Sequence, residues 1–247
     1  MKKLLLIFFS IVALHSYASE KCILTLPKSG TYLLKKIFND LMKTEIQVSH
    51  VLKGPGMNRP QERYVVSMRD PRDYFVSMKN FKTFVSRESL KKGKNWPGMV
   101  FNYKAYLNLS EDEKLLDLLL TKNYPLDFVS KLFQAVFQAQ QDPLALIIRF
   151  EDFIGENGGG NDKLQKDTIL EVLEWLGVHV KRNRVQYALS HSWGGSVTFH
   201  KGLIGQWKRE FKPVHIKTFK EYWNQYLIDW GYETDWDWDI YYFGESA

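Results

Sequence analysis

The sequence predicts an α/β fold organised around a central parallel sheet. Short β-prone runs alternate with segments of helical period, which is the rhythm of strand–helix–strand units. The run Leu144 to Arg149 is nearly all apolar, so it is expected at the centre of the sheet, covered on both faces. The chain has 247 residues, 45% of them hydrophobic and 15% aromatic, which suffices for one substantial core in one domain.

Each element follows from local chemistry. Cys22 to Leu26 makes a first strand, Pro27 breaks it, Ser29-Gly30 turns the chain, and helical period runs from about Thr31 to Lys43. Thr44 to Val51 alternates as a second strand with His50 near its end. Gly54-Pro55-Gly56 and Arg59-Pro60 mark a loop, and Arg63 to Met68 is a third strand with Arg69 at its end. Asp70 can cap a helix with Pro71 in its first turn, running through Met78. From Asn80 the strand rhythm stops, and residues 80–140 read as a helical insert. Within it Ser110-Glu111-Asp112-Glu113 is a capping box opening a helix to about Thr121, and a second helix covers about Asp127 to Gln140.

Asp142-Pro143 leads into the fourth strand, Leu144 to Arg149. Glu151 and Asp152 follow; as neighbours on a strand they would point to opposite faces and serve structure. Gly158-Gly159-Gly160 is a flexible loop, Lys163 to Leu176 an amphipathic helix closed by Gly177, and Asn183 to Leu189 a short helix. A Gly/Ser-rich stretch from Ser190 to Gly205 precedes a final helix around Phe219 to Trp230.

The N-terminus reads as a secretory signal over residues 1–18. Lys2-Lys3 is its basic region, Leu4 to Leu14 its apolar core, and Ser16-Tyr17-Ala18 its cleavage site. Cleavage would lower the net charge from +6 to +4, because it removes two lysines and no acid. An uncleaved segment would instead associate residues 4–17 with a membrane, or leave the protein cytoplasmic. One cysteine cannot form an internal disulfide, so the redox compartment is not readable from thiols. The basic balance suits a polyanionic ligand; without a long Lys/Arg run, no nucleic-acid partner is expected.

Three stretches carry chemistry. Pro27-Lys28-Ser29-Gly30-Thr31 joins a strand to a helix N-terminus, where unpaired N–H groups and the helix dipole attract an anion; Lys28 adds a cation at the rim. Arg69 stands at a strand's C-terminal end, and Ser77 lies two helical turns further on, so a guanidinium and a hydroxyl can hold one phosphate together. In His200-Lys201-Gly202-Leu203-Ile204-Gly205-Gln206-Trp207-Lys208, two glycines bracket an apolar pair among basic residues, which suits a loop laid over an anion. Read singly, each is equally a common turn, an N-capped helix or a basic surface loop.

In order and spacing, from about Ile23 to Phe211, these stretches resemble the sulfotransferases that use 3′-phosphoadenosine 5′-phosphosulfate (PAPS), and the cytosolic-type branch in particular. The resemblance implies a P-loop-like three-layer α/β/α fold over residues 19–247. It also implies transfer of a sulfonate to an acceptor hydroxyl or amine, with PAPS as co-substrate and no metal. Residues 80–140 would build the acceptor pocket and lid. Lys28 would hold the 5′-phosphosulfate, and the backbone amides of Ser29, Gly30, Thr31 and Tyr32 would cradle the 5′-phosphate. Arg69 and Ser77 would bind the 3′-phosphate, with Lys201 and Gly202 closing over it.

His50 stands where the family places its catalytic base, although Ser49-His50-Val51-Leu52 departs from the usual Thr-His-Leu-Pro; His191, His200 or a carboxylate are the alternatives. Other departures are Leu33 in place of an adenine-stacking Trp, Phe150 in place of a Tyr, His200 in place of an Arg, and Gln206 in place of an Asp. Trp193 is a candidate for the missing aromatic platform. The aromatics of the insert suit a sugar or a lipid-like acceptor equally. A P-loop-type kinase and a non-catalytic nucleotide or polyanion binder are the rival functions. No Lys follows Gly30 as a Walker A loop requires, which counts against ATP or GTP.

Overall fold

The computed structural model describes residues 21–42, 46–50, 62–95, 101–120, 126–194 and 202–243. The proposed signal segment, the Gly54–Pro60 loop, Trp96, His200 and Lys201 lie outside these residues. Four strands, β1 (Lys21–Thr25), β2 (Ile46–His50), β3 (Tyr64–Met68) and β4 (Ala145–Arg149), form a parallel sheet in the order β2-β1-β3-β4. In register, Thr25 lies opposite His50 and Ser67, and Met68 opposite Arg149. The sheet thus brings the C-terminal ends of the strands, with His50, Arg69 and the turn after Thr25, to one edge.

Alternation along the central strands divides the core in two. Cys22, Leu24, Tyr64, Val66 and Met68 pack on one face, while Ile23 and Val65 pack on the other. Against the second face lie α1 (Thr31–Met42), α6 (Phe150–Phe153), α7 (Asp162–Trp175) and α8 (Arg182–Ser190), through Leu34, Phe38, Phe153, Ile169 and Val185. Against the first lie α2 (Pro71–Lys92), α4 (Glu111–Leu119), α5 (Leu126–Gln140) and α10 (Pro213–Asp229). The result is a three-layer α/β/α sandwich. Short helices α3 (Tyr103–Asn108), α9 (Trp207–Glu210) and α11 (Trp238–Phe243) complete the described elements.

Four expectations are corrected. β4 is the outermost described strand, with Ala145, Leu146 and Ile147 only half-buried; its apolar run reflects helices on both faces, not a central position. α2 does not stop near Met78 but continues to Lys92, where Gly93 closes it at φ 62°. Its long run is held by buried residues on several sides, including Lys82, whose ammonium meets Asp117 at 2.7 Å between the rings of Phe101 and Tyr106. Finally, α10 begins at Pro213, six residues earlier than the sequence suggests, and Glu151-Asp152 lie on a helical turn, not a strand.

Aromatic rings fill the first face. Phe133 is fully buried and has Tyr74, Phe75, Trp223, Tyr226 and Trp230 around it at centroid distances of 4.8 to 6.1 Å. Phe133→Ala is expected to destabilise the fold by about 3–5 kcal/mol, since a ring-sized void is left among partners that cannot collapse into it. A urea titration measures this, and a loss below about 1 kcal/mol would contradict the packing.

Candidate active site

The turn after β1 is shaped by three residues. Lys28 adopts φ 70°, a left-handed conformation unusual for a side-chain-bearing residue. Gly30 adopts φ 86°, and a Cβ there would stand 2.7 Å from Phe153 and 2.9 Å from Phe150, so no other residue fits. Ser29 is buried, its hydroxyl 2.6 Å from both Leu26 O and the Ser67 hydroxyl, which fastens the turn to β3. The Ser29 amide, expected to face an anion, donates instead to Leu26 O at 3.1 Å. The amides of Thr31 and Tyr32, in the first turn of α1, remain placed as a helix N-terminus places them. Tyr32 itself is largely exposed, and Thr31 is buried with its hydroxyl 2.7 Å from that of Thr25.

Lys28 does not point to open water. Its ammonium lies 4.7 Å from the centre of the Phe81 ring, and burial, then the neighbouring Arg69 charge, lower its pKa to about 8. Ser77 is one turn before Phe81 on α2, and Asp73 one turn before Ser77. Asp73, Ser77 and Phe81 follow at spacings of four, so they form a stripe along one side of α2, with Asp73 meeting Arg69 and Phe81 meeting Lys28.

Arg69 is almost wholly buried. Its Nη1 donates to Lys28 O at 3.2 Å, its Nη2 donates to Leu203 O at 2.7 Å and meets Asp73 at 3.4 Å, and the guanidinium lies 4.4 Å over the Phe150 ring. Nε is buried and has no hydrogen-bond partner among the described residues. The first and third stretches are therefore joined at Arg69. Gly202, at φ 62°, opens the loop that reaches it, and Ile204 N donates to Gly158 O at 3.1 Å, so the glycine loop 158–160 also carries the 202–205 segment. Phe150, which stands where the family has a Tyr, is buried, and its ring lies against the Arg69 guanidinium.

His50 ends β2 beside β1. Its Nδ1 lies 3.3 Å from the Thr25 hydroxyl, which in turn donates to Ser49 O at 3.1 Å. The Thr25 hydroxyl also lies 2.7 Å from that of Thr31, so it ties the end of β2 to the first turn of α1 and orients the imidazole. Of the other histidines considered, His191 is an exposed residue stacked on Tyr187. Among the described residues, no group of three or more His, Cys, Asp or Glu side chains could hold a metal ion.

No protein-family model and no curated protein matches the chain. Solved structures do. The mouse sulfotransferase SULT7A1 complexed with PAP is similar over 85% of this chain and 84% of that one, at 15% identity and a TM-score of 0.56. Retinol dehydratase, in complex with androsterone and the inactive cofactor PAP, is similar over 85% of this chain and 80% of that one, at 14% identity and a TM-score of 0.53. The chain has the sulfotransferase fold. The described parts of the three stretches, around Lys28, Arg69 and residues 202–207, meet at one edge of that fold.

Sequence reasoning missed several residues of this edge of the sulfotransferase fold. Asp73, Phe81 and Thr25 were legible as continuations of the stripe and the strand. Glu151 was not: its Oε1 accepts from Asp70 N at 3.1 Å and its Oε2 from the Tyr232 hydroxyl at 2.9 Å, a partner 81 residues away. Burial, then the Asp70 carboxylate, push Glu151 up to about 7.

Because that value lies above the ordinary 4.5, the folded protein binds more protons than the unfolded chain between the two. The stability contributed by protonated Glu151 is present below pH 4.5 and is lost as pH rises through 7. Glu151→Gln is expected to gain about 1–3 kcal/mol over the wild type at pH 8 and nothing at pH 4. Urea unfolding at the two pH values measures it, and a pH-independent difference would contradict the assignment.

Proposed function

We propose that this protein transfers a sulfonate group from PAPS to an acceptor hydroxyl or amine. The single observation carrying this reading is that Lys28, Arg69 and the 202–207 loop meet at one edge of a sulfotransferase fold. Two structural neighbours of that fold were each solved with PAP. The residues present fit such a ligand at both ends. Thr31 and Tyr32 amides and the Lys28 ammonium suit the 5′ end. The partnerless Arg69 Nε and the Ser77 hydroxyl suit the 3′-phosphate. Leu33 and Trp193, both partly buried against the same core cluster, are the candidate walls for the adenine.

PAPS, when bound, supplies an activated sulfonate and a stable phosphate leaving group. The chain supplies the rest. Lys28 neutralises charge that develops on the bridging oxygen as the S–O bond breaks, which a desolvated cation does more strongly than a hydrated one. His50 Nε2 accepts the acceptor's proton as that oxygen attacks the sulfur. The amides of α1 hold the phosphate in line. The acceptor would enter on the side of Phe81, and the aromatic residues of the 80–140 sequence suit a sugar or a lipid-like molecule. The N-terminal segment would direct the protein into the secretory pathway, which N-terminal sequencing of the mature protein tests.

The experiment is calorimetry with 3′-phosphoadenosine 5′-phosphate (PAP), followed by transfer assays with labelled PAPS against labelled ATP. Binding of PAP and transfer from PAPS alone support the proposal; transfer from ATP makes the protein a kinase. PAP binding with no turnover across an acceptor panel makes it a nucleotide binder.

Affinity for PAP should follow the Lys28 ammonium. It is fully charged below its value of about 8, so the dissociation constant should rise as pH passes 8, by at most about tenfold per unit. Lys28→Arg should keep the affinity flat to higher pH, because a guanidinium does not titrate there. A break at the same pH in that variant would assign the titration elsewhere. His50→Ala should lower turnover by about 10²–10⁴-fold while leaving PAP affinity unchanged; unchanged turnover would remove His50 as the base.

A further inference from the structure

Asp73 is buried, lies within the site, and has no part in the chemistry above. Its Oδ2 accepts from Gly205 N at 2.7 Å, its Oδ1 accepts from Trp207 N at 3.0 Å, and Oδ2 also faces Arg69 Nη2 at 3.4 Å. Arg69 in turn holds Leu203 O. One carboxylate and one guanidinium thus fix three positions of a five-residue stretch that has no regular structure of its own before Trp207. Trp207 is clamped from the other side by Arg72, whose guanidinium lies 3.8 Å over the indole.

This geometry has a direction. The Asp73 oxygens are turned towards the backbone amides of the loop and towards Nη2, so they do not face an anion, which they would repel. Arg69 Nε is the one guanidinium nitrogen with no hydrogen-bond partner among the described residues, while both terminal nitrogens are engaged, so it is left for a ligand. Building on the sulfonate-transfer reading, we propose that Asp73 is a positioning residue for the 3′-phosphate end of the donor, setting Arg69 and the 202–207 loop in the arrangement that receives it. Asp73 touches no donor atom; it acts through Arg69 and through the loop backbone.

The distinguishing measurement is selectivity for the 3′-phosphate. Calorimetry on the full chain gives dissociation constants for PAP and for adenosine 5′-monophosphate, which lacks that group. The wild type should prefer PAP by about 100-fold or more, the worth of two charge-assisted hydrogen bonds. Asp73→Asn keeps the side-chain volume but replaces one acceptor oxygen by a donor that faces an N–H. It should shrink the PAP preference by about tenfold or more, with the monophosphate affinity within about threefold and an unchanged binding stoichiometry.

Parallel loss for both ligands, or a fall in stoichiometry alone, would mean that Asp73 only supports the fold and would overturn the proposal. Retention of the full PAP preference would overturn it as well. If Asp73→Asn does not fold, Gly205→Ala tests the same link: a Cβ there meets nothing within 4 Å, but φ +70° disfavours it, so the amide that Asp73 accepts from must shift. The same selectivity should fall, by a smaller factor; unchanged selectivity in that variant overturns the proposal. A wild type that binds neither ligand overturns sulfonate transfer itself, and this role with it, and that outcome is separate from any change in the ratio.

Discussion

The edge of the sheet depends on a buried cation that cannot be left alone. Arg69 ends β3 with almost no exposure, and an uncompensated guanidinium there would cost several kcal/mol. It is compensated by Asp73, by two backbone carbonyls from segments 41 residues before it and 134 after it, and by the Phe150 ring. Satisfying one charge therefore requires that the turn after β1, the start of α2, the turn of α6 and the late loop all converge. The short sequence Arg69-Asp70-Pro71-Arg72-Asp73 meets this requirement twice. Asp70 caps α2 and pairs with Arg72, and Arg72 reaches Glu233 at 2.6 Å and the Trp207 and Trp238 rings.

Lys28 shows the opposite economy. Its backbone sits at φ 70° and its ammonium is desolvated against a ring beside a second cation, so the free protein holds it at a cost. Such a residue is not selected for stability: an uncharged side chain or a glycine would ease both burdens. On the proposed reaction, an anion arriving at the site would reverse the sign of the local potential and offset that cost.

The fold was largely legible because its signals are local and periodic. Strand runs, the Pro27 break, the Asp70-Pro71 cap and the capping box at Ser110 each fall within a window of a few residues, and each element stands where they put it. What failed were judgements that need the neighbours. The apolar run of β4 reads the same at the edge as at the centre once helices cover both faces. The continuation of α2 to Lys92 depends on Asp117 neutralising Lys82 from another helix. Of the site, the three loop motifs were readable from residue type and spacing, but the burial of Arg69 was not, nor was the pairing of Glu151 with Tyr232. Whether a guanidinium faces water or the carbonyls of two loops is decided by chain segments far apart in sequence.

The two cations differ in a way that matches the two ends of a doubly phosphorylated donor. Arg69 is locked by hydrogen bonds on both terminal nitrogens and by a stacked ring, so its position is set before a ligand arrives. A fixed, permanently charged planar group suits the end of the donor where nothing changes during reaction. Among the described residues Lys28 rests over Phe81, on a flexible four-carbon stem, and its pKa is lowered to about 8. A mobile point charge suits the end where a bond breaks and charge moves from sulfonate to phosphate, because it can follow that charge. Exchanging the two residue types would put a rigid fork where movement is needed and a titratable group where permanence is needed. On the proposed reaction, that asymmetry is what the sequence order of lysine first and arginine second encodes.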